Sequence, residues 1–111
     1  MMNQTISAMS RDNEREWYDT PYAGVRFSWL SEHTEPGRAA VLRFECGGRL
    51  PVHYHPGWEQ IFILEGQFQI NDQIFSRHDF VFLSAGTRHS VEALTAGSYL
   101  TLAEKEGVDI G

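Results

Sequence analysis

The sequence predicts an all-β domain built as an antiparallel barrel or sandwich, and three observations carry that expectation. Short runs of β-branched and aromatic residues recur at near-regular spacing, with turn residues between them. No stretch repeats its apolar residues at the 3.6-residue period of a helix packed on a core. At 111 residues the chain has room for one hydrophobic core and not for two.

Taken in order, residues 1–16 are polar and aperiodic and read as a flexible arm that orders only against a partner. Trp17 and Tyr18 interrupt that polarity, as a first edge strand or packed lid, or as an aromatic cover over a pocket mouth. A turn at Thr20, Pro21 and Gly24 precedes residues 25–30, where alternation puts Val25, Phe27 and Trp29 on one face. Glu35, Pro36 and Gly37 turn the chain into a strand over residues 39–45, which ends at Cys46, Gly47 and Gly48. Residues 59–64 form the next apolar strand after the break at Pro56 and Gly57. Residues 67–70 and 74–76 make a short hairpin across Asn71 and Asp72. The run 80–83 is another strand, His89 opens one that continues to Ala93, and Ala96-Gly97 links it to residues 98–103. Residues 105–111 read as a loose C-terminal tail, which leaves 17–104 as the barrel.

Composition narrows the partners. A net charge of -6 with a single lysine, Lys105, leaves no basic face for nucleic acid or an anionic membrane. One cysteine, Cys46, makes no intrachain disulfide; it reads as a small apolar strand residue, because no base stands nearby to activate it. The N-terminus has no apolar signal core and no run of about 20 apolar residues could cross a bilayer, so the expected location is cytoplasmic.

Chemistry concentrates in residues 47–66 and 78–93. His53 and His55, one residue apart on a strand, point to the same side. After the Pro56-Gly57 turn, a hairpin is expected to return Glu59 beside them, and His89 supplies a third imidazole. Three imidazoles and a carboxylate suit a divalent transition metal. The alternative, a buried polar network, leaves four such groups losing hydration with no cation to share. His33, between Glu32 and Glu35, and His78, between Arg77 and Asp79, read as solvated loop histidines. Alternation places Ile61 and Ile63 on the face of Glu59 and Val91 on that of His89, an apolar wall to which Phe27, Trp29, Phe44 and Phe82 are further candidates. Plain core packing is the competing reading for those aromatics. Trp58 lines the mouth or caps an edge.

The spacing Gly47, His53, His55, Glu59, Gly66 closely resembles the first motif of the cupin family. The second motif is partly kept: Asp79, Gly86 and His89 stand in place, while His78, Ser84 and Ala93 replace the usual Gly, Pro and Asn. The resemblance covers residues 39–104. It implies a jelly-roll β-barrel with His53, His55, Glu59 and His89 as metal ligands. It also implies a homodimer formed through an outer sheet face such as that of residues 60–64 and 80–83.

Four protein ligands leave positions open on six-coordinate Mn, Fe, Ni or Co, whereas tetrahedral Zn would be filled. The resemblance therefore implies two classes of function. One is an enzyme acting on a small molecule, foremost a dioxygenase-type oxidoreductase with Glu59 as proton acceptor, followed by an isomerase or lyase. The other is a non-catalytic metal- or ligand-binding sensor, similar to the zinc-holding cupin halves of anti-sigma factors.

Overall fold

The structure, a computed structural model, describes residues 5–32, 37–105 and 107–110. His33 and the expected turn at Glu35 and Pro36 lie outside the described residues. The strands are β1 (Tyr18–Asp19), β2 (Val25–Ser31), β3 (Arg38–Phe44), β4 (Arg49–Tyr54), β5 (Glu59–Glu65), β6 (Phe68–Ile70), β7 (Gln73–Phe75), β8 (Phe80–Leu83), β9 (His89–Ala93), β10 (Gly97–Ala103) and β11 (Asp109–Ile110). One short 3-10 turn, Asp12–Glu14, is the sole helical element among the described residues, so none there is long and apolar enough to cross a membrane.

Two antiparallel sheets form. The larger runs β1-β2-β3-β10-β5-β8 and the smaller β11-β4-β9-β6-β7. This is the jelly-roll arrangement: from β3 onward every chain step except β6 to β7 changes sheets. Of the hairpins expected between chain neighbours, β2 with β3 and β6 with β7 form; Ala96-Gly97 instead carries the chain from β9 in the small sheet to β10 in the large one. The expected hairpin that returns Glu59 beside His53 and His55 does not form either. β4 and β5 lie in opposite sheets, so residues 55–58 cross between layers and Glu59 reaches the histidines from the facing wall. Gly66 marks a similar crossing at positive φ (+84°), where a Cβ would stand 2.5 Å from the Ala96 carbonyl oxygen.

Trp17 lies beneath the Arg43 guanidinium, 4.0 Å from its ring centre, and Tyr18 pairs with Phe27 in β1. Tyr18 thus takes the edge-strand role, and Trp17 packs beside it on Arg43. The C-terminal segment departs from the expected loose tail, because Asp109 and Ile110 pair with Tyr54 and His53 of β4.

The core fills one half of the space between the sheets. Phe44 of β3, Phe68 of β6 and Tyr99 of β10 meet with ring centres 5.0–5.4 Å apart, and Ile61, Ile63, Val91 and Ala93 close around them. This cluster keeps the sheets apart at one end and leaves room at the other. Phe68 is fully buried at its centre. Replacing it with Ala is expected to cost about 3–5 kcal/mol, read as a lower midpoint in chemical denaturation with the slope unchanged.

Candidate metal centre

His53, His55, Glu59 and His89 come together at the open end of the barrel, each offering one ligand atom, and those atoms all lie within 4.8 Å of one another. His53 and His89 face each other as direct partners across β4 and β9, with ring centres 4.1 Å apart. The β4–β9 register shifts between Leu50 and His53, over Pro51 and Val52. A proline has no N–H to give the ladder, so it is tolerated at such an irregularity. The shift leaves the Pro51 carbonyl 2.7 Å from His53 Nδ1.

Every imidazole is oriented the same way. His53 Nδ1 donates to Pro51, His89 Nδ1 to the Thr87 carbonyl at 3.2 Å, and His55 Nδ1 to the Gly107 carbonyl at 3.3 Å. A carbonyl only accepts, so each Nδ1 carries the proton and each neutral ring presents the Nε2 lone pair inward. Glu59 Oε1 then stands 3.1 Å from His55 Nε2 and 3.0 Å from His89 Nε2. Lone pair faces lone pair across these contacts, and the three atoms are buried with no ordinary hydrogen-bond partner. Only a proton or a cation between them relieves the repulsion, and the donor set could hold a divalent metal.

Without a cation, protonation is favoured at His55. Burial alone would keep Glu59 neutral, but an Nε2–H turned on it by a protonated imidazole, together with the Thr101 hydroxyl, would hold its carboxyl far below the ordinary range. Burial also opposes charge on His55, yet the Glu59 carboxylate outweighs it and raises the His55 pKa above 6.5. His53, desolvated without such a partner, is lowered.

Thr101, absent from the ligand motif, donates from Oγ1 to Glu59 Oε2 at 2.6 Å and fixes the carboxylate. Its inward side followed from β10 alternation, since Thr101 shares parity with buried Tyr99. A cavity of about 280 Å³ opens beside the cluster. Its walls include Tyr22, Phe27, Trp29, Leu42, Leu50 and Val108, with Arg38 over the Trp29 ring and Lys105 as cations.

Of the expected pocket residues, Phe27 and Trp29 line this cavity. Phe44, Ile61, Ile63 and Val91 belong to the packed core instead. Phe82 is 56 % exposed: Leu83 pairs with Glu59, so Leu83 and Val81 take the inward parity and Phe82 points out, where Trp58 stacks on it. His78 is exposed and stacks on Phe62, away from the cluster. It stands at positive φ (73°), which accounts for Gly being usual there.

A jelly roll with three imidazoles and a carboxylate at its open end has the plan of a cupin. A family model described as the ChrR cupin-like domain matches residues 6–107, and the chain belongs to that family. No curated protein matches it. Among solved structures, an RmlC-like cupin from Shewanella frigidimarina NCIMB 400 is 21 % identical with TM-score 0.81, over 95 % of this chain and 96 % of that one. An acetylacetone dioxygenase from Acinetobacter johnsonii is 16 % identical with TM-score 0.69, over 94 % and 79 %. The Rhodobacter sphaeroides complex of SigE with the anti-sigma ChrR contains a chain 25 % identical, TM-score 0.72; the match covers 84 % of this chain and half of that one.

The electrostatic account is checked by NMR titration of the metal-free protein. His55 is expected to titrate above 6.5 and His53 below it, and Glu59→Gln is expected to lower the His55 value, because burial is then opposed by the Gly107 hydrogen bond alone. A raised His55 value stabilises the fold while that ring is protonated, so this contribution is lost as pH rises through it.

Proposed function

We propose that this protein is a metal-dependent enzyme acting on a small apolar molecule, foremost as a dioxygenase-type oxidoreductase. The observation that carries the reading is that the buried cluster opens directly into an apolar cavity: His53, His55 and Glu59 are at once candidate ligands and cavity wall. A site serving only to staple the fold has no need of a chamber beside it.

In this reading His53, His55, Glu59 and His89 hold the ion, and iron or manganese suits the mixed nitrogen and oxygen set with positions left for substrate. The bound ion would supply Lewis acidity and access to dioxygen. The chain's own residues do the rest. Backbone carbonyls fix all three rings before the ion arrives, and Thr101 holds one Glu59 oxygen so that the other faces the cluster. Phe27, Trp29, Leu42 and Leu50 keep water from the reacting molecule. Glu59 is the one carboxylate on the wall among the described residues, which makes it the acceptor for a proton from an enolisable substrate. Burial, then Glu59, pushes the Tyr99 phenol well above its ordinary value, so Tyr99 meets the substrate neutral.

A second reading is favoured by the ChrR cupin-like family match: a zinc-holding sensor without turnover. The two part on one experiment. Protein purified without a chelating tag is expected to contain iron, manganese, nickel or cobalt in five- or six-fold coordination by X-ray absorption, and to consume oxygen with acetylacetone or a related diketone. His53→Ala and His89→Ala are each expected to lower metal content at least about tenfold and abolish uptake. Four-coordinate zinc with no oxygen uptake would replace the enzyme reading by the sensor.

We also propose a homodimer through the outer face of the six-stranded sheet, where Phe80 and Phe82 are more than half exposed beside Phe62. Light scattering is expected to give twice the chain mass, and Phe82→Glu to halve it.

A further inference from the structure

The three imidazoles do not depend on the same parts of the chain. His53 and His89 each donate to a carbonyl two residues earlier, so their orienting partners arrive with their own strands. His55 lies just beyond the end of β4 and takes its partner, the Gly107 carbonyl, from 52 positions away. Its side chain is also the more open, 17 % exposed against 6 % for Glu59. The segment that brings Gly107 there pairs with β4 at Tyr54 and His53, and Lys105, Gly107, Val108 and Ile110 line the cavity.

We infer that residues 107–110 form a strap that positions His55 and closes the cavity, so that metal binding and strap closure strengthen each other. The inference rests on the metal-centre reading above. The strap is lightly held: its pairing spans two residues, and Val108 and Ile110 remain 51 % and 62 % exposed. Such a segment opens at small cost in free energy, and whatever orders it gains a proportionate effect. A cation that draws His55 Nε2 inward fixes the ring and with it the Nδ1–H that Gly107 accepts. By linkage, a closed strap must raise affinity for the cation by the same factor.

Gly107 permits a clean test. Its φ is +96°, and a Cβ placed there would meet nothing within 4 Å, so alanine would strain the backbone without a clash. Gly47 has φ +85° and equally open surroundings, but lies beyond the other end of β4 and serves as a control of the same kind. Zinc affinity would be measured by competition with a chromophoric chelator for the unaltered protein, Gly107→Ala and Gly47→Ala. Amide hydrogen exchange at Asp109 and Ile110 would be followed with and without zinc.

The expected results are an affinity about tenfold or more lower in Gly107→Ala, an unaltered affinity in Gly47→Ala, and slower exchange at Asp109 and Ile110 on zinc loading. Unchanged affinity in Gly107→Ala, an equal loss in Gly47→Ala, or exchange indifferent to zinc would overturn the strap and leave the metal centre standing. Failure of the unaltered protein to bind zinc, or the metals named above, would sink the metal centre itself and the coupling with it.

Discussion

The structure turns on one confrontation: the Glu59 carboxylate, 5 % exposed, held against the Nε2 atoms of His55 and His89. Apolar residues in their place would pack without penalty, and burying an unshared carboxylate costs several kcal/mol. The fold therefore has to deliver compensating partners from many directions. Thr101 comes from the neighbouring strand, the histidines from the facing sheet and its edge, and the histidines' own carbonyl partners from the irregular stretch of β4 at Pro51, the loop before β9 and the segment before β11.

Delivering those partners requires the two sheets to stand at a fixed separation. The Phe44, Phe68 and Tyr99 cluster sets it, since aromatic rings at 5.0–5.4 Å resist both compression and sliding. Beyond Tyr99 the inward residues of β3 and β10 become smaller, at Ala40, Thr101 and Ala103, and the space opens as cavity. The aromatic cluster and the chamber are thus two halves of one interior. The large residues sit where the walls must be held, and the small ones where the cavity opens.

Local periodicity made much of this legible. The His53 and His55 spacing, the strand runs, the turn residues and the outward solvation of His78 all depend on neighbours a few positions away. What escaped depends on register. The face of Phe82 is decided by its pairing through Leu83 to Glu59, and the arrival of Glu59 from the opposite wall by a layer change that a hairpin signal imitates. Asp109 and Ile110 are too few to show alternation, so only their pairing to Tyr54 and His53 reveals a strand. Phe44 and Val91 face inward as alternation requires, but whether an inward residue meets core or cavity depends on its distance along the barrel, which period-two patterning does not encode.

The position of β10 has a consequence for how the chain is made. This strand lies between β3 and β5, paired along its length with both. Until residue 103 has left the ribosome, the large sheet exists as two pieces whose facing edges expose unpaired N–H and C=O groups. Sheets closed by such distant pairing fold slowly, over milliseconds to seconds. During synthesis the nascent chain thus presents two open edges that only its own late strand can satisfy.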